Sequence, residues 1–83
     1  MIDPAAVEAM IKAKLPDAQV QLQDMTGGGD HYQAVVISSE FEGIRMVQQH
    51  QLVYAAVQEA MASNAIHALG LKTYTPAQYA AAQ

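Results

Sequence analysis

The stretch AQVQLQDMTGGGDHYQAVVI, residues 18–37, predicts two β-strands joined by a glycine-rich turn. From Ala18 to Gln23, apolar residues alternate with glutamines, which is typical of a strand with one solvent-facing side. The second strand, Tyr32–Ile37, is apolar on both sides toward its end, so we expect it to be the more buried, central strand. We expect Thr26–Asp30 to be a flexible turn, which makes the two strands an antiparallel hairpin.

Helices are predicted on both sides of this hairpin. Asp3 and Pro4 suit the cap and the first position of an N-terminal helix, which ends before Pro16. A longer helix is predicted from Met46 to about Ser63, after a connector that contains Phe41 and Gly43. The residues expected on its apolar face are Met46, His50, Val53, Val57, Ala60 and Met61.

The rest of the chain completes an α-β-β-α-β-α order. Ile66–Tyr74 predicts a third strand, and Thr75 and Pro76 suit the start of a short last helix anchored by Tyr79. Because a helix joins the second and third strands, these two should be parallel. The sequence therefore predicts one α+β domain, residues 1–83, with a three-stranded mixed sheet and helices packed on one face.

Composition excludes several kinds of site. The 83 residues contain no cysteine, which excludes disulfides, thiolate metal sites and a catalytic thiol within the chain. The net charge of −4 is opposite to that of a non-specific phosphate binder. No apolar run approaches the ~20 residues that span a bilayer, and the N-terminus lacks the basic region of a signal peptide. We expect a cytoplasmic protein, although an organelle stroma or matrix stays open.

Three histidines are the candidate reactive groups. His50 lies on the apolar face of the long helix, so we expect a partly buried structural histidine. His67 opens the third strand and shares the parity of Leu69 and Leu71, so it could cap the core edge or bind a metal. His31 ends the glycine-rich turn, where a lone histidine is usually solvated. Two histidines do not close a tetrahedral metal site, but they can supply half of one.

Other chemistry has weaker signals. The glycine-rich turn lies between two strands and lacks the Gly-Lys-Ser/Thr ending of a phosphate loop. The element order is similar to that of KH nucleic-acid-binding modules, in which a Gly-x-x-Gly loop holds the backbone of the nucleic acid. The corresponding connector has only Gly43, and the nearby positive charges are Arg45 and Lys72. No nucleophile is paired with a base, so we expect no enzymatic activity.

Two blocks of sequence carry a family resemblance. One is FEGIRMVQQHQLVY, residues 41–54, and the other is IHALGLKTYTP, residues 66–76. With the Gly-Asp-His-Tyr stretch at 29–32, they resemble the BolA family, in particular its BolA/IbaG-like branch. The His-Ala-x-x-x-Lys-Thr-Tyr-Thr-Pro pattern is the specific part, and the resemblance covers nearly the whole chain in matching order.

The resemblance implies a KH-like fold of the class II type and a partner. BolA-like proteins bind monothiol glutaredoxins, and the pair can share a glutathione-supported [2Fe-2S] cluster to which the glutaredoxin gives its cysteine. The BolA-type chain gives the histidine of the second block, here His67. Its other ligand comes from the loop between the first two strands, where His31 is the only candidate of that type. The chain alone is then expected to carry no cofactor and to be a monomer or a weak homodimer.

Family members are linked to iron–sulfur trafficking, iron regulation, stress response and cell morphology, and some are described as DNA-binding transcription regulators. DNA binding by Gly43, Arg45 and Lys72 is the alternative function for this chain. One departure from the family pattern weakens it: many relatives have arginines on both sides of the helix histidine, whereas His50 lies between two glutamines. A second departure, Tyr79 in place of a tryptophan, should leave packing intact.

Overall fold

A computed structural model describes residues 3–82 and confirms the predicted α+β fold with a three-stranded mixed sheet. In chain order the elements are α1 (Pro4–Lys14), β1 (Gln19–Asp24), β2 (His31–Ile37), a 3-10 helix (Ser39–Phe41), α2 (Met46–Ala56), α3 (Gln58–Ala62), β3 (Ala68–Tyr74) and α4 (Pro76–Ala82). Within the described residues, no helix has the length and apolar character needed to cross a membrane.

The sheet has the order β1-β2-β3, so β2 is the central strand, as its composition predicts. β1 and β2 are antiparallel, with Val20 opposite Val36. β2 and β3 are parallel, with His31 opposite Ala68 at one end and Ile37 opposite Tyr74 at the other. The parallel pairing matters for function, because it brings the residues that enter β2 and β3 to the same end of the sheet.

One face of the sheet and helices α1–α3 enclose the hydrophobic core. Successive side chains of a strand alternate between faces, so the even-numbered residues of β2 and the odd-numbered residues of β3 face these helices. The fully or nearly fully buried residues of this core are Val7, Ile11, Leu15, Ala18, Tyr32, Ala34, Val36, Phe41, Val53, Val57, Ala60, Ile66 and Leu69. Phe41 has no exposed surface, so the connector before α2 is anchored in the core.

The last helix begins as the sequence predicts and reaches the other face of the sheet. Thr75 Oγ1 accepts from the Gln78 backbone N–H at 3.1 Å, and the Thr75 N–H donates to Gln78 Oε1 at 3.0 Å. The Tyr79 hydroxyl accepts a hydrogen bond from Gln21 Nε2 at 3.0 Å. Val20 and Leu22 face the core, so Gln21 between them is on the opposite face of the sheet. Because Tyr79 of α4 contacts Gln21, α4 reaches this opposite face, unlike the other helices.

The long second helix differs from its prediction in two ways. It is divided into α2 and α3 at Val57, whose φ of −109° and ψ of 17° interrupt the helical backbone. The predicted core face is correct at Val53, Val57 and Ala60, which are buried, but in the first turn of α2 the core-facing residue is Gln49 and not Met46. Gln49 is buried, whereas Met46 is 64% exposed and His50 is half-buried.

Gln49 can be buried because both the nitrogen and the oxygen of its side-chain amide form hydrogen bonds. Its Nε2 donates to the carbonyl oxygens of Phe41 at 3.2 Å and Ile44 at 3.0 Å. Its Oε1 accepts from the Thr73 hydroxyl of β3 at 2.7 Å. A polar side chain that satisfies its hydrogen bonds can be buried without the cost of an unpaired group. This amide ties α2 to the connector and to the sheet.

Two smaller expectations are also corrected. The side chain of Asp3 makes no cap hydrogen bond; its backbone carbonyl instead accepts from the N–H groups of Ala6 and Val7 at 3.0 and 3.2 Å. The third strand begins at Ala68 and not at Ile66. His67 therefore lies just before the strand, with a side chain that is 52% exposed, so it does not cap the core edge.

The end of the sheet at Ile37 is closed by Asp17. The Asp17 carboxylate accepts hydrogen bonds from the hydroxyls of Ser38 at 2.6 Å and Ser39 at 2.5 Å, and from the Ser39 backbone N–H at 2.9 Å. These bonds favour the ionised carboxylate, led by the one from Ser38, and they lower the pKa of Asp17 from 3.8 to about 2. The turn after α1 is thereby fixed to the connector that follows β2.

Candidate metal centre

The glycine-rich turn at the opposite end of the sheet is held by Asp24. Its Oδ1 accepts from the backbone N–H groups of Thr26 at 3.2 Å and Gly27 at 2.9 Å, and its Oδ2 accepts from the Gly29 N–H at 2.9 Å. Gly27 and Gly29 have φ values of +80° and +76°, a region that favours glycine. The turn that the sequence predicts to be flexible is therefore organised by hydrogen bonds within it.

Backbone hydrogen bonds then join this turn to the start of β3. The Asp30 carbonyl accepts from the N–H groups of His67 at 2.7 Å and Ala68 at 3.2 Å. The Met25 N–H donates to the His31 carbonyl at 2.8 Å, which extends the hairpin by one pair. Because β2 and β3 are parallel, His31 and His67 enter their strands side by side. Residues that are 36 positions apart in the sequence therefore meet at one end of the sheet.

The side chains of these residues form a cluster centred on the Asp30 carboxylate. His31 Nδ1 lies 2.8 Å from Asp30 Oδ1, and His67 Nδ1 lies 3.5 Å from Asp30 Oδ2. The two imidazole rings meet edge to face, with centroids 5.7 Å apart. The hydrogen bond from His31, and then the positive charge that both histidines can carry, lower the pKa of Asp30 below its usual value.

The cluster is accessible from solvent. The side chains of His31 and His67 are 41% and 52% exposed, and that of Asp30 is 28% exposed. Within residues 3–82, these three are the group of metal-ligating side chains whose donor atoms lie together, all within 4.8 Å of one another. We call this group, Asp30, His31 and His67, the histidine–aspartate cluster.

The histidine pair fits the ligand set that the family resemblance implies for a [2Fe-2S] cluster. Two imidazoles lie next to each other at an exposed end of the sheet, where a second molecule can reach them. Paired histidines replace two cysteines on one iron of Rieske clusters, so imidazole is a competent ligand for this group. Because the chain has no cysteine, the remaining ligands would come from a partner.

The other candidate residues lie elsewhere. His50 is on α2, away from the histidine–aspartate cluster. Gly43 is in the connector with a φ of +78°, and Arg45 is the exposed residue before α2. Thr73 faces the helices, because its hydroxyl donates to Gln49 of α2. Lys72 is the neighbouring residue in β3, so its side chain is on the other face of the sheet, away from α2. The structure does not bring Arg45 and Lys72 together into one positive patch.

Asp30 is not among the site residues that the sequence predicts. Its only sequence signal is its position next to His31, directly after the glycines. The parallel register, which places both rings beside this one carboxylate, could not be derived from that position alone.

Comparison with known proteins agrees with the fold and with the sequence blocks. Residues 5–78 match the family described as BolA-like protein. The chain belongs to the BolA family. This BolA-family chain is 39% identical to the acid stress protein IbaG of Escherichia coli K12 over 56 residues, which are 68% of this chain and 67% of that protein. It is 37% identical to protein BOLA2 of Arabidopsis thaliana over 81 residues, covering 95% of this chain and 85% of the relative.

Solved BolA structures match it along almost its full length. A BolA homologue from Coxiella burnetii superposes with a TM-score of 0.81 at 37% identity, covering 96% of this chain and 99% of that one. A BolA-like protein from Babesia bovis superposes with a TM-score of 0.84 at 28% identity, covering 99% and 94%. These likenesses agree with the KH-like α+β fold expected of the family.

Proposed function

We propose that this BolA-family chain is an adaptor that binds a monothiol glutaredoxin and co-ligates a glutathione-supported [2Fe-2S] cluster through His67 and His31. The observation that carries the proposal is the exposed, adjacent pair of imidazoles at the end of β2 and β3. A pair of ligands that is open to solvent and lacks a cysteine is suited to half a site, which a partner's cysteine and glutathione would complete.

The cluster would supply electron transfer or be handed on to another protein, and this chain's residues would hold it and set its stability. Neutral imidazoles in place of thiolates raise the reduction potential of a [2Fe-2S] centre. Imidazole must also be unprotonated to bind, so ligation weakens as the pH falls toward the pKa range of histidine. The weakening of ligation on protonation favours a labile cluster, which suits iron–sulfur trafficking, and the raised potential suits iron and redox regulation.

A role in stress response follows as part of the same proposal. The name of the E. coli relative links that protein to acid stress. A cluster whose ligands are lost on protonation would respond to a fall in pH, which gives such a role a chemical basis. We propose no catalytic step for this chain, since its role is to bind and to position.

The test is anaerobic cluster reconstitution on a monothiol glutaredoxin with glutathione, followed by visible circular dichroism as this chain is added. We expect a new spectrum that saturates at one chain per glutaredoxin and is lost with His67→Ala and with His31→Ala. His50→Ala is the matched control, because this histidine lies on α2 outside the cluster, and it should leave the new spectrum intact.

Two results would overturn the proposal. The glutaredoxin spectrum could persist unchanged at all ratios, or the new spectrum could survive removal of both cluster histidines. In either case a gel shift on DNA, repeated at several salt concentrations, would test the alternative of a KH-like transcription regulator. Contacts between Arg45 or Lys72 and phosphates would give a steep dependence on salt.

A further inference from the structure

The histidine–aspartate cluster has three donors where the shared [2Fe-2S] site uses only two. Asp30 Oδ1 and Oδ2 face the Nδ1 atoms of His31 and His67 at 2.8 and 3.5 Å, so the carboxylate lies between the two rings. The adaptor function gives no role to this carboxylate. A carboxylate and two imidazoles around one point are the donor set of mononuclear zinc and related transition-metal sites.

We propose that Asp30, His31 and His67 bind one divalent transition-metal ion of the zinc type in the chain alone, with no partner protein present. The three donor atoms lie within 4.8 Å of one another. Zinc–nitrogen and zinc–oxygen bonds are about 2.0–2.2 Å long, so each side chain must rotate slightly to aim its donor at one ion, and the 2.8 Å hydrogen bond between His31 and Asp30 is exchanged for bonds to the metal. All three side chains are partly exposed and have room for this rotation.

The backbone under the site is already in place. The Asp30 carbonyl holds the N–H groups of His67 and Ala68, and the Asp24 carboxylate holds the turn that leads to Asp30. Binding an ion therefore orders three side chains but no loop, which keeps the entropic cost of binding low. The fourth position of a tetrahedral ion would face solvent, where water or an incoming ligand can occupy it.

The donor types select the ion. Imidazole nitrogen suits zinc, iron, nickel and copper, whereas magnesium and calcium prefer sites made of oxygen ligands only. With two nitrogens, one carboxylate oxygen and no thiolate, the cluster fits Zn²⁺ or Fe²⁺ and does not fit Ca²⁺ or Mg²⁺. We use Zn²⁺ as the probe because it has no redox chemistry to complicate the measurement.

The site has a consequence for the adaptor, and this consequence rests on the proposed function. The same two histidines would hold either the single ion or the shared cluster, so the two occupancies exclude each other. Zn²⁺ bound to the free chain would then compete with formation of the cluster-bridged complex. A substitution of Asp30 distinguishes the two occupancies, because Asp30 would be a ligand of the single ion and not of the shared cluster.

The test is calorimetric titration of Zn²⁺ into the isolated, untagged chain, together with NMR of the imidazole signals. We expect one ion per chain and Zn²⁺-dependent shifts of the His31 and His67 rings, with His50 unaffected. Asp30→Ala and His67→Ala should each weaken binding at least about tenfold, the lower limit seen when even an outer-shell partner of a metal is lost. Glu42→Ala, which removes an exposed carboxylate of the connector, and His50→Ala are the matched controls and should bind as the wild type does.

Several results would overturn the site. They are no saturable binding, half an ion per chain (which would mean an ion bridging two chains), full affinity in Asp30→Ala, or a shift of His50 in place of the cluster rings. Far-UV circular dichroism of each variant checks that it is folded, and the NMR measurement on the wild type needs no variant at all. The titration contains no glutaredoxin, so it can fail while cluster sharing succeeds, and the reverse holds as well.

Discussion

The two ends of β2 use an aspartate in opposite ways. At the Ile37 end, Asp17 accepts from the hydroxyls of Ser38 and Ser39, and Ser38 is only 1% exposed. At the His31 end, Asp30 faces two imidazoles that are 41% and 52% exposed. Both carboxylates are held ionised by their neighbours, yet the first fixes the connector and the second presents groups to solvent. The difference is in the donors: each serine hydroxyl gives its one hydrogen to Asp17, and Ser38 Oγ also accepts from the Glu40 N–H within the connector, whereas each imidazole keeps a second nitrogen.

This contrast predicts where stability and ligand binding can be separated. We call the Ile37 end of β2, with Asp17 and the nearby Gln49–Thr73 hydrogen bond, the closed end. It should contribute to the free energy of unfolding and not to metal binding. We call the His31 end, with the histidine–aspartate cluster, the open end. It should contribute to ligand binding and little to the free energy of unfolding. The following variants test that division, beginning with the largest expected effect on stability.

Gln49→Leu should be the most destabilising of these changes. It removes the amide that binds the carbonyls of Phe41 and Ile44 and the hydroxyl of Thr73. Each buried group left without a partner costs about 1–3 kcal/mol. We expect a loss of about 2–3 kcal/mol, a large part of the ~5–15 kcal/mol that stabilises a typical domain. Urea unfolding followed by circular dichroism measures it.

Gln51→Leu is the matched control, since Gln51 is exposed on the same helix. It should change the free energy of unfolding by less than about 0.5 kcal/mol. Equal effects of the two substitutions would show that the buried amide has no special role in holding α2 to the sheet.

The Gln49 result also shows the limit of reading this fold from its sequence. The hairpin, the parallel crossover and the Thr75 cap follow from local signals: alternation, turn glycines and a Thr-Pro pair. Gln49 gives the opposite signal, because a glutamine in an amphipathic helix is normally assigned to the solvent side, and the predicted apolar face includes its neighbour His50 instead. Its spacing of four from Val53 and eight from Val57 is the one pattern that favours burial.

Other features depend on tertiary structure and have no local signal. The helix interruption at Val57 has no glycine or proline to mark it. The histidine content of the chain and the family resemblance both indicate His31 and His67 as candidates, but their closeness depends on the parallel pairing of β2 with β3. The position of Asp30 between their rings depends on the same register, which composition and periodicity do not fix.

Asp17→Asn tests the closed end through pH. The pKa of Asp17 is about 2 in the folded chain and 3.8 without its partners, so the fold prefers the ionised carboxylate. Its stabilising effect is present above about pH 4 and is lost as the pH falls toward 2. We expect Asp17→Asn to lower the free energy of unfolding by about 1 kcal/mol at neutral pH, since the exposed position reduces the value of charged hydrogen bonds.

The difference between wild type and Asp17→Asn should shrink between pH 4 and pH 2, because protonation removes the same interaction from the wild type. Thermal unfolding across this range is the measurement. Glu42→Gln, an exposed carboxyl change in the same connector, is the control. A difference that stays constant down to pH 2 would mean that the Asn side chain disturbs the connector for a reason other than charge.

Asp24→Ala should affect stability less and ligand binding more. It releases the N–H groups of Thr26, Gly27 and Gly29, which are in the turn and can bind water instead where exposed. We expect a loss of less than about 1 kcal/mol of stability. The turn that leads to Asp30 and His31 must then be ordered when the ion binds, so Zn²⁺ affinity should fall several-fold. Unchanged affinity would show that the turn does not preorganise the cluster.

His67→Ala should have the smallest effect on folding and the largest on binding. Its side chain is 52% exposed, and the bond that fixes this position, from its backbone N–H to the Asp30 carbonyl, survives in alanine. The free energy of unfolding should therefore change by less than about 0.5 kcal/mol. Ser38→Ala, at the other end of β2, is the comparison: it removes a buried hydroxyl that donates to Asp17, so it should destabilise the fold by about 1 kcal/mol and leave Zn²⁺ affinity unchanged. If His67→Ala were the more destabilising of the two, the imidazole would be part of the folded structure's support, and its exposure would no longer indicate a ligand presented to a partner.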